Sequence, residues 1–271
     1  MSAYDLTNLA ALKFWLGLPS GVSPSDATLG ALITASSRAI YAWLSRPSLL
    51  PTSVSETLDS GDTRLYLRNW PVLSIASVTL DGIAIPAATP GPALAGYLLQ
   101  PAEPAPPGRP QALDIFGYRL LRARQNLIIA YTAGYAVQGE AQIVPSAPPL
   151  QIAAIAPYGP WASNVRVVYA ASGVVLTPVA TPAGPGQYSF ASGVYSFSLA
   201  DAGASLLLSY GFAPQDLAQA ALELAAERFR AAERIGLRSK SIGGQETISY
   251  DISAISAPIL ALLQPYRRVA I

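Results

Sequence analysis

Catalysis in this chain would have to come from carboxylates, lysine, serine or tyrosine, because its 271 residues include no histidine and no cysteine. That composition excludes thiolate chemistry, disulfides, Cys/His zinc sites and every Ser-His-Asp relay. The carboxylates come first. Asp59 and Asp62 flank Gly61, Asp81 precedes Gly82, and Asp114 lies in an apolar run. Two facing carboxyls would suit glycoside hydrolysis, and Asp59 with Asp62 could offer oxygen ligands to a hard cation. The spacing argues for turns instead, since Asp beside Gly is ordinary turn chemistry. EF-hand spacing is absent, and Asp114 has no evident carboxylate partner. No Walker loop or Gly-x-Gly-x-x-Gly stretch occurs, and Gly243-Gly244 reads as a turn. Trp70 and the tyrosines could stack on sugars or bases, yet aromatics in strands more often fill a core. No catalytic, cofactor-binding or metal-binding residue is expected.

The elements around these residues read as α+β. Asp5 can cap a first helix through Leu6, Leu9, Leu12 and Leu16, ended by Gly17. Ser23-Pro24-Ser25-Asp26 opens a second, with Ser23 as cap and Pro24 in the first turn. Its stripe runs through Leu29, Leu32, Ile33, Ser36, Ile40, Trp43 and Leu44, and Pro47 stops it. From Glu56 to Tyr135 the period becomes that of strands. Thr63–Leu67, Pro71–Leu80 with its Asp81-Gly82 turn, Tyr97–Leu99, Leu113–Phe116 and Leu127–Tyr131 make a sheet. The proline-rich stretch 101–110 between them is a loop or extended arm.

A strand closing on a glycine turn occurs twice, at Leu127–Tyr135 and at Leu206–Phe212, and only the second runs on into a helix. Residues 136–211 therefore read as a β unit inserted into one strand-to-helix connection. Its expected strands are Val165–Tyr169, Val174–Leu176, Gln187–Phe190, Val194–Phe197 and Leu206–Tyr210, forming a small antiparallel sandwich or barrel. Pro145–Pro160 reads as a linker. The core is then discontinuous, 1–135 with 212–271. A long Ala-rich helix runs from Pro214 to Gly236, with Glu223, Glu227 and Glu233 alternating with Arg228, Arg230 and Arg234. Glu227–Arg230 is one i,i+3 pair. An extended arm, 238–271, follows with a hairpin across Gly243-Gly244 and a short helix near Pro258–Leu263.

Charged residues make up only 12% of the chain and the formal net charge is +1, against about 25% charged in a typical soluble protein. So little charge implies area hidden in subunit contacts. No basic run offers a sequence-independent grip on phosphates. No apolar run approaches the roughly 20 residues that span a bilayer, and Met1–Asp5 lacks a signal core. A soluble protein made in the cytoplasm, without membrane attachment, is the expectation.

With 136–211 set aside, the order of elements resembles the tailed-phage head-tail connector (adaptor, head-completion) family, also found in gene transfer agents. Leu12-Lys13-Phe14-Trp15-Leu16-Gly17 resembles the opening helix of that family, and the helix Leu29–Leu44 its second. Trp70-Pro71-Val72-Leu73-Ser74-Ile75-Ala76-Ser77-Val78 with Asp81-Gly82 resembles its Pro-Val strand, and Tyr131–Tyr135 its sheet end. Pro214 to Gly236, followed by Gly243-Gly244-Gln245-Glu246-Thr247-Ile248-Ser249-Tyr250, resembles its long helix and the segment after it. The inserted unit is a departure.

The resemblance implies a structural virion protein without catalysis or cofactor. It implies a homo-oligomeric ring, typically of twelve copies, under the portal at the head-tail junction. Such a ring extends the channel for packaged double-stranded DNA, without sequence-specific binding, and docks a stopper or tail-completion protein. On this reading Arg238, Lys240, Ile242, Ile248, Tyr250, Leu260, Leu263, Tyr266, Arg267 and Arg268 contact the portal or a neighbouring subunit. Glu223, Glu227, Arg230 and Arg234 lie on an intersubunit helix whose small residues line subunit contacts or the channel. Deleting 251–271 should then leave a folded chain that cannot join heads. The alternative is a β-rich module, 136–211, that recognises a glycan or host surface.

Overall fold

The computed structural model of the chain describes residues 4–89, 95–101, 106, 108–232, 239–242, 246–249 and 255–268. Among the described residues the fold is mixed α+β, with four α-helices and several antiparallel sheets. Contacts divide the chain into two units, Met1–Pro47 with Pro214–Arg267 and Ser48–Ala213 with Arg268–Ile271. The division thus falls at 47/48 and 213/214, not at 135/136 and 211/212 as the strand endings suggested. Within the second unit the ends of 48–135 and 136–213 meet: Phe212 N–H donates to the Tyr135 carbonyl at 3.2 Å, and the two rings lie 6.0 Å apart.

The first unit is largely helical. α1 (Leu9–Leu16) is capped by Asn8, whose Oδ1 accepts from Ala11 N–H at 2.9 Å, and it ends on Gly17 at φ 71°. The cap is Asn8 rather than Asp5, and Leu6 is buried ahead of the helix. α2 (Asp26–Leu44) begins two residues later than Pro24 suggested. Ser23 still anchors its start, donating from Oγ to Asp26 Oδ1 at 2.6 Å and from N–H to Oδ2 at 3.2 Å. Ser45 at φ 55° ends the helix before Pro47. α3 spans Gln215–Ala231; the end expected at Gly236 lies outside the described residues. Leu12, Leu29, Ile33, Ala225 and Ala226 from α1, α2 and α3 share one buried cluster. β15 (Ser239–Ile242) and β16 (Glu246–Ser249) pair antiparallel, with Ile242 opposite Glu246. Three residues therefore separate the paired ends, where Gly243-Gly244 had suggested a two-residue hairpin. α4 (Ala257–Leu263) and a 3₁₀ turn (Gln264–Tyr266) close the unit. Among the described residues, no helix is long and apolar enough to cross a membrane.

Among the described residues, the second unit holds fourteen strands around two cores. β1 (Thr52–Ser60), β2 (Arg64–Tyr66), β3 (Val72–Leu80), β4 (Ile83–Ala84), β5 (Gly96–Gln100), β6 (Ala112–Phe116) and β7 (Ala123–Ala133) form sheets ordered β1-β7-β3-β4 and β2-β6-β5. Leu65, Val78, Leu113, Ile115, Leu127, Ile129 and Tyr131 fill the space between them. β8 (Ala136–Ile143), β9 (Gln151–Ala153), β10 (Trp161–Tyr169), β11 (Thr177–Pro178), β12 (Gln187–Ala191), β13 (Val194–Phe197) and β14 (Ser205–Phe212) form sheets ordered β8-β14-β10 and β9-β13-β12-β11. Ile152, Val167, Tyr188, Tyr195, Phe197, Leu208 and Tyr210 fill that second core.

Three expectations change here. β9 lies inside the stretch 145–160 that had read as a linker. β11 pairs parallel to β12, so the domain is not wholly antiparallel. Val174–Leu176 makes only a bridge, Val175 to Val168, and regular pairing starts at Thr177.

Candidate functional site

Asp59, Asp81 and Asp114 are turn and strand fixtures. Asp59 Oδ1 accepts from Gln125 N–H at 2.7 Å, where Gln125 has φ 52°. Asp81 Oδ1 accepts from Asn126 Nδ2 at 3.0 Å, and Asn126 Oδ1 accepts from Ser60 N–H at 3.1 Å. These contacts join the turns at one end of the first β domain. Asp114 holds Arg64 through two 2.8 Å contacts across β6 and β2, which raises the guanidinium pKa further. Among the described residues, no group of three or more Asp or Glu stands where a metal ion could be held.

Four tyrosine–carboxylate pairs went unnoticed in the sequence. Tyr131 Oη donates to Glu56 Oε1 at 2.5 Å and accepts from Asn69 N–H at 3.2 Å. Tyr210 Oη donates to Glu140 and accepts from Ala156 N–H at 2.9 Å. Tyr169 donates to Asp201, which also accepts from Ser198 Oγ at 2.9 Å and Gly186 N–H at 3.0 Å. Tyr266 donates to Asp216 at 2.9 Å. Burial first, and the neighbouring carboxylate second, push Tyr131 and Tyr210 well above the ordinary phenol range. Burial likewise pushes Tyr195 up to about 12. Such hydroxyls stay protonated and donate, so they act as struts rather than bases. The one available signal was Glu56 itself, in phase with Val54 and Leu58 on an inward face, where a carboxylate demands a donor.

The residues assigned to partner contacts fare unevenly. In α3, Leu217, Ala220, Ala221, Leu224 and Ala225 are covered within the folded chain, so its small-residue face is not bare. The outer face carries exposed Glu227 and Arg230 and half-buried Glu223. Glu227 forms no ion pair with Arg230; it accepts from Ser256 Oγ at 2.8 Å, while Glu223 accepts from Gln219 Nε2 at 2.7 Å. Arg228 reaches Ser36 Oγ at 3.3 Å.

The segment 255–267 is fastened to the helices rather than trailing. Ile259, Leu263 and Tyr266 are buried, Arg46 Nε donates to the Tyr266 carbonyl at 2.9 Å, and the Arg267 guanidinium stands 5.2 Å over the Trp43 ring. Leu263 and Tyr266 are thus core residues, and deleting 251–271 would remove part of a core. Leu260 is half-buried, Arg267 exposed and Arg268 half-buried. Arg234, Arg238 and Tyr250 lie outside the described residues. Lys240, Ile242 and Ile248 sit in β15 and β16, where only the backbone is described.

Charge divides the two β domains sharply. Residues 52–134 carry six acids (Glu56, Asp59, Asp62, Asp81, Glu103, Asp114) and six arginines (64, 68, 109, 119, 122, 124). Residues 136–213 carry only Glu140, Arg166 and Asp201, and both acids there are engaged by tyrosines. The same domain exposes Ile143, Ile155, Tyr158, Val165, Val174, Val175, Phe190, Val194 and Leu199, with Leu199 at 70% and Ile155 at 67%. The first domain exposes Tyr66, Ile83, Leu121 and Ile128. A surface short of charge and rich in exposed aliphatics has the composition of an interface core.

No model of a known protein family matches the sequence, and no curated protein matches it. Among solved structures, the chain is similar to one in the neck of an empty gene transfer agent particle computed with C6 symmetry. The two are 16% identical with a TM-score of 0.41, over 98% of this chain and 91% of that one.

Proposed function

We propose that this chain is a non-catalytic structural subunit of a phage-like particle, a head-tail adaptor that assembles as a ring beneath the portal. The reading is supported by the order of connector-like segments in 1–135 and 212–250. It is carried by one observation, the nearly charge-free and apolar surface of residues 136–213. In a ring, probed at twelve copies first, such surfaces seat against neighbouring copies with little cost in desolvated charge. The ring extends the path of packaged DNA and docks the next neck or tail component. The exposed polar face of α3, with Glu227 and Arg230, and Arg267 at the end of the helical unit face partners in this arrangement.

The test is assembly. Mass photometry and negative-stain imaging of the chain, alone and with portal-containing heads, should show a closed ring or ring-bearing heads. The double substitution Val175→Asp, Leu199→Asp should leave thermal stability within about 0.5 kcal/mol, as exposed sites do, while abolishing assembly. A double variant that assembles or joins heads like the parent would refute the assignment of this surface.

A further inference from the structure

The two β domains share more than a strand count. In the first, β7 lies between β1 and β3, and β6 between β2 and β5. In the second, β14 lies between β8 and β10, and β13 between β9 and β12. In chain order the pairing scheme is the same for six of the seven strands; the fourth differs, β4 pairing antiparallel with β3 and β11 parallel with β12. Sandwich topologies do recur between unrelated proteins, so this alone does not establish common descent.

The register goes further. β3 pairs with β7 from Val72↔Ala133 to Leu80↔Leu127, with irregularities between Val72 and Ser74 and between Ile75 and Ser77. β10 pairs with β14 from Trp161↔Phe212 to Tyr169↔Leu206, with irregularities between Trp161 and Ser163 and between Asn164 and Arg166. The constant shifts that carry Val72 to Trp161 and Ala133 to Phe212 map every pair of one ladder onto a pair of the other, both bulges included. A bulge is an extra residue at one place in one strand, and nothing in sandwich packing dictates two at matching positions.

The second sheets agree as well. Leu65 stands opposite Leu113, and Ile152 opposite Tyr195; Tyr97 stands opposite Ile115, and Tyr188 opposite Phe197. Links outside the ladders repeat too. Ile85 N–H donates to the Val78 carbonyl, and Leu176 N–H to that of Val167, both at 2.8 Å. Leu67 N–H donates to Gln111, and Ala154 N–H to Gly193, both at 2.9 Å.

The polar clamp repeats with them. Glu56 stands opposite Ile129, two residues before Tyr131, which it holds; Glu140 stands opposite Leu208, two residues before Tyr210, which it holds. Each tyrosine also accepts from a backbone N–H ahead of the third strand, Asn69 or Ala156. Even the exits correspond. Gly134 N–H donates to the Pro71 carbonyl at 2.9 Å, and Ala213 N–H to that of Pro160 at 3.0 Å. From the first exit the chain enters β8; from the second it enters α3.

We propose that residues 136–213 are a tandem duplicate of residues 52–134, so that the chain carries one β domain more than its fold requires. Either exit can feed α3, and the second copy is free to serve as a contact domain. The inference concerns folding and stands whether or not the chain is an adaptor.

Deleting residues 127–205 joins Asn126 to Leu206 and builds a hybrid in which β14 replaces β7, Tyr210 meets Glu56, and Ala213 leads into α3 as before. Deleting 127–206 shifts that strand by one residue and turns its buried face outward. A third chain, lacking 135–213, joins Gly134 to Pro214 and keeps the first domain whole. Circular dichroism and thermal unfolding should show a single cooperative transition for at least one of the two in-register chains and none for the shifted one. Failure of both in-register chains, or cooperative folding of the shifted one, would overturn the proposal.

Discussion

The domains at 52–134 and 136–213 hang on the same ladder, yet one surface is charged and the other is not. Register and bulges of the β3·β7 and β10·β14 ladders and the Tyr–Glu clamp agree, while twelve charges face three. The comparison separates what a sandwich must keep from what it can discard. Inward positions and the buried polar pair resist change because a cavity or an unpaired carboxylate is costly. Outward positions are worth little to stability and are free to follow the partner.

The sharpest way to break this equivalence is at the clamp. Tyr131→Ala and Tyr210→Ala each remove a fully buried ring and its hydroxyl partner, and each should cost about 3–5 kcal/mol. Chemical denaturation of both variants should give losses matching within about 1 kcal/mol. A large loss at one site and a negligible one at the other would show that the clamps are not equivalent.

A smaller effect tests the ends of the central strands. Gly134 has φ 143°, and a Cβ there would run into the backbone of Leu50 and Pro51. A Cβ at Gly211 would meet the Ser163 hydroxyl and the Pro51 ring. Gly134→Ala should therefore cost about 2–4 kcal/mol and Gly211→Ala less, because Gly134 adds a positive φ that strains an L side chain to its backbone clash, whereas Gly211 has no positive φ. Melting temperatures of the pair decide it; the reverse order would contradict the geometry.

The smallest effect lies outside both domains and serves as a control. Lys13 is buried and donates to Asp26 at 2.5 Å and to the Gly21 carbonyl at 2.6 Å. Hydrogen bonds from Lys13, then Ser23, hold the Asp26 carboxyl at about 2, below its usual 3.8. A depressed carboxyl stabilises fully above its unfolded value and loses that contribution as pH falls from about 4 toward 2. Helical signal should weaken over that window, and Asp26→Asn should flatten the dependence. An unchanged pH profile in Asp26→Asn would rule the pair out as its source.

Much of the helical unit was legible because its signals are local. The Ser23–Asp26 start, the α2 stripe and Gly17 all act within one or two turns. The central strands β7 and β14 were legible as apolar runs. Their neighbours β1 and β8 were not, since Thr52–Ser60 and Ala136–Ile143 are polar strands held chiefly by ladder hydrogen bonds to a central partner. The segment 255–267 read as an arm because nothing in Leu260, Leu263 and Tyr266 declares whether they face a partner or their own chain. The tyrosine–carboxylate pairs join residues 32 to 75 positions apart, beyond any local pattern.

By itself the sequence determined that His- and Cys-based chemistry is absent, that the fold mixes helices with strands, and that a strand ending recurs. These follow from composition and from periods of two and 3.6, which are properties of short stretches. Only the tertiary structure decided that the recurrence is a whole domain twice over. Ladder register is set by backbone hydrogen bonds and alternation, which survive while side chains change, so the repeat persists in the pairing after it has faded from the sequence.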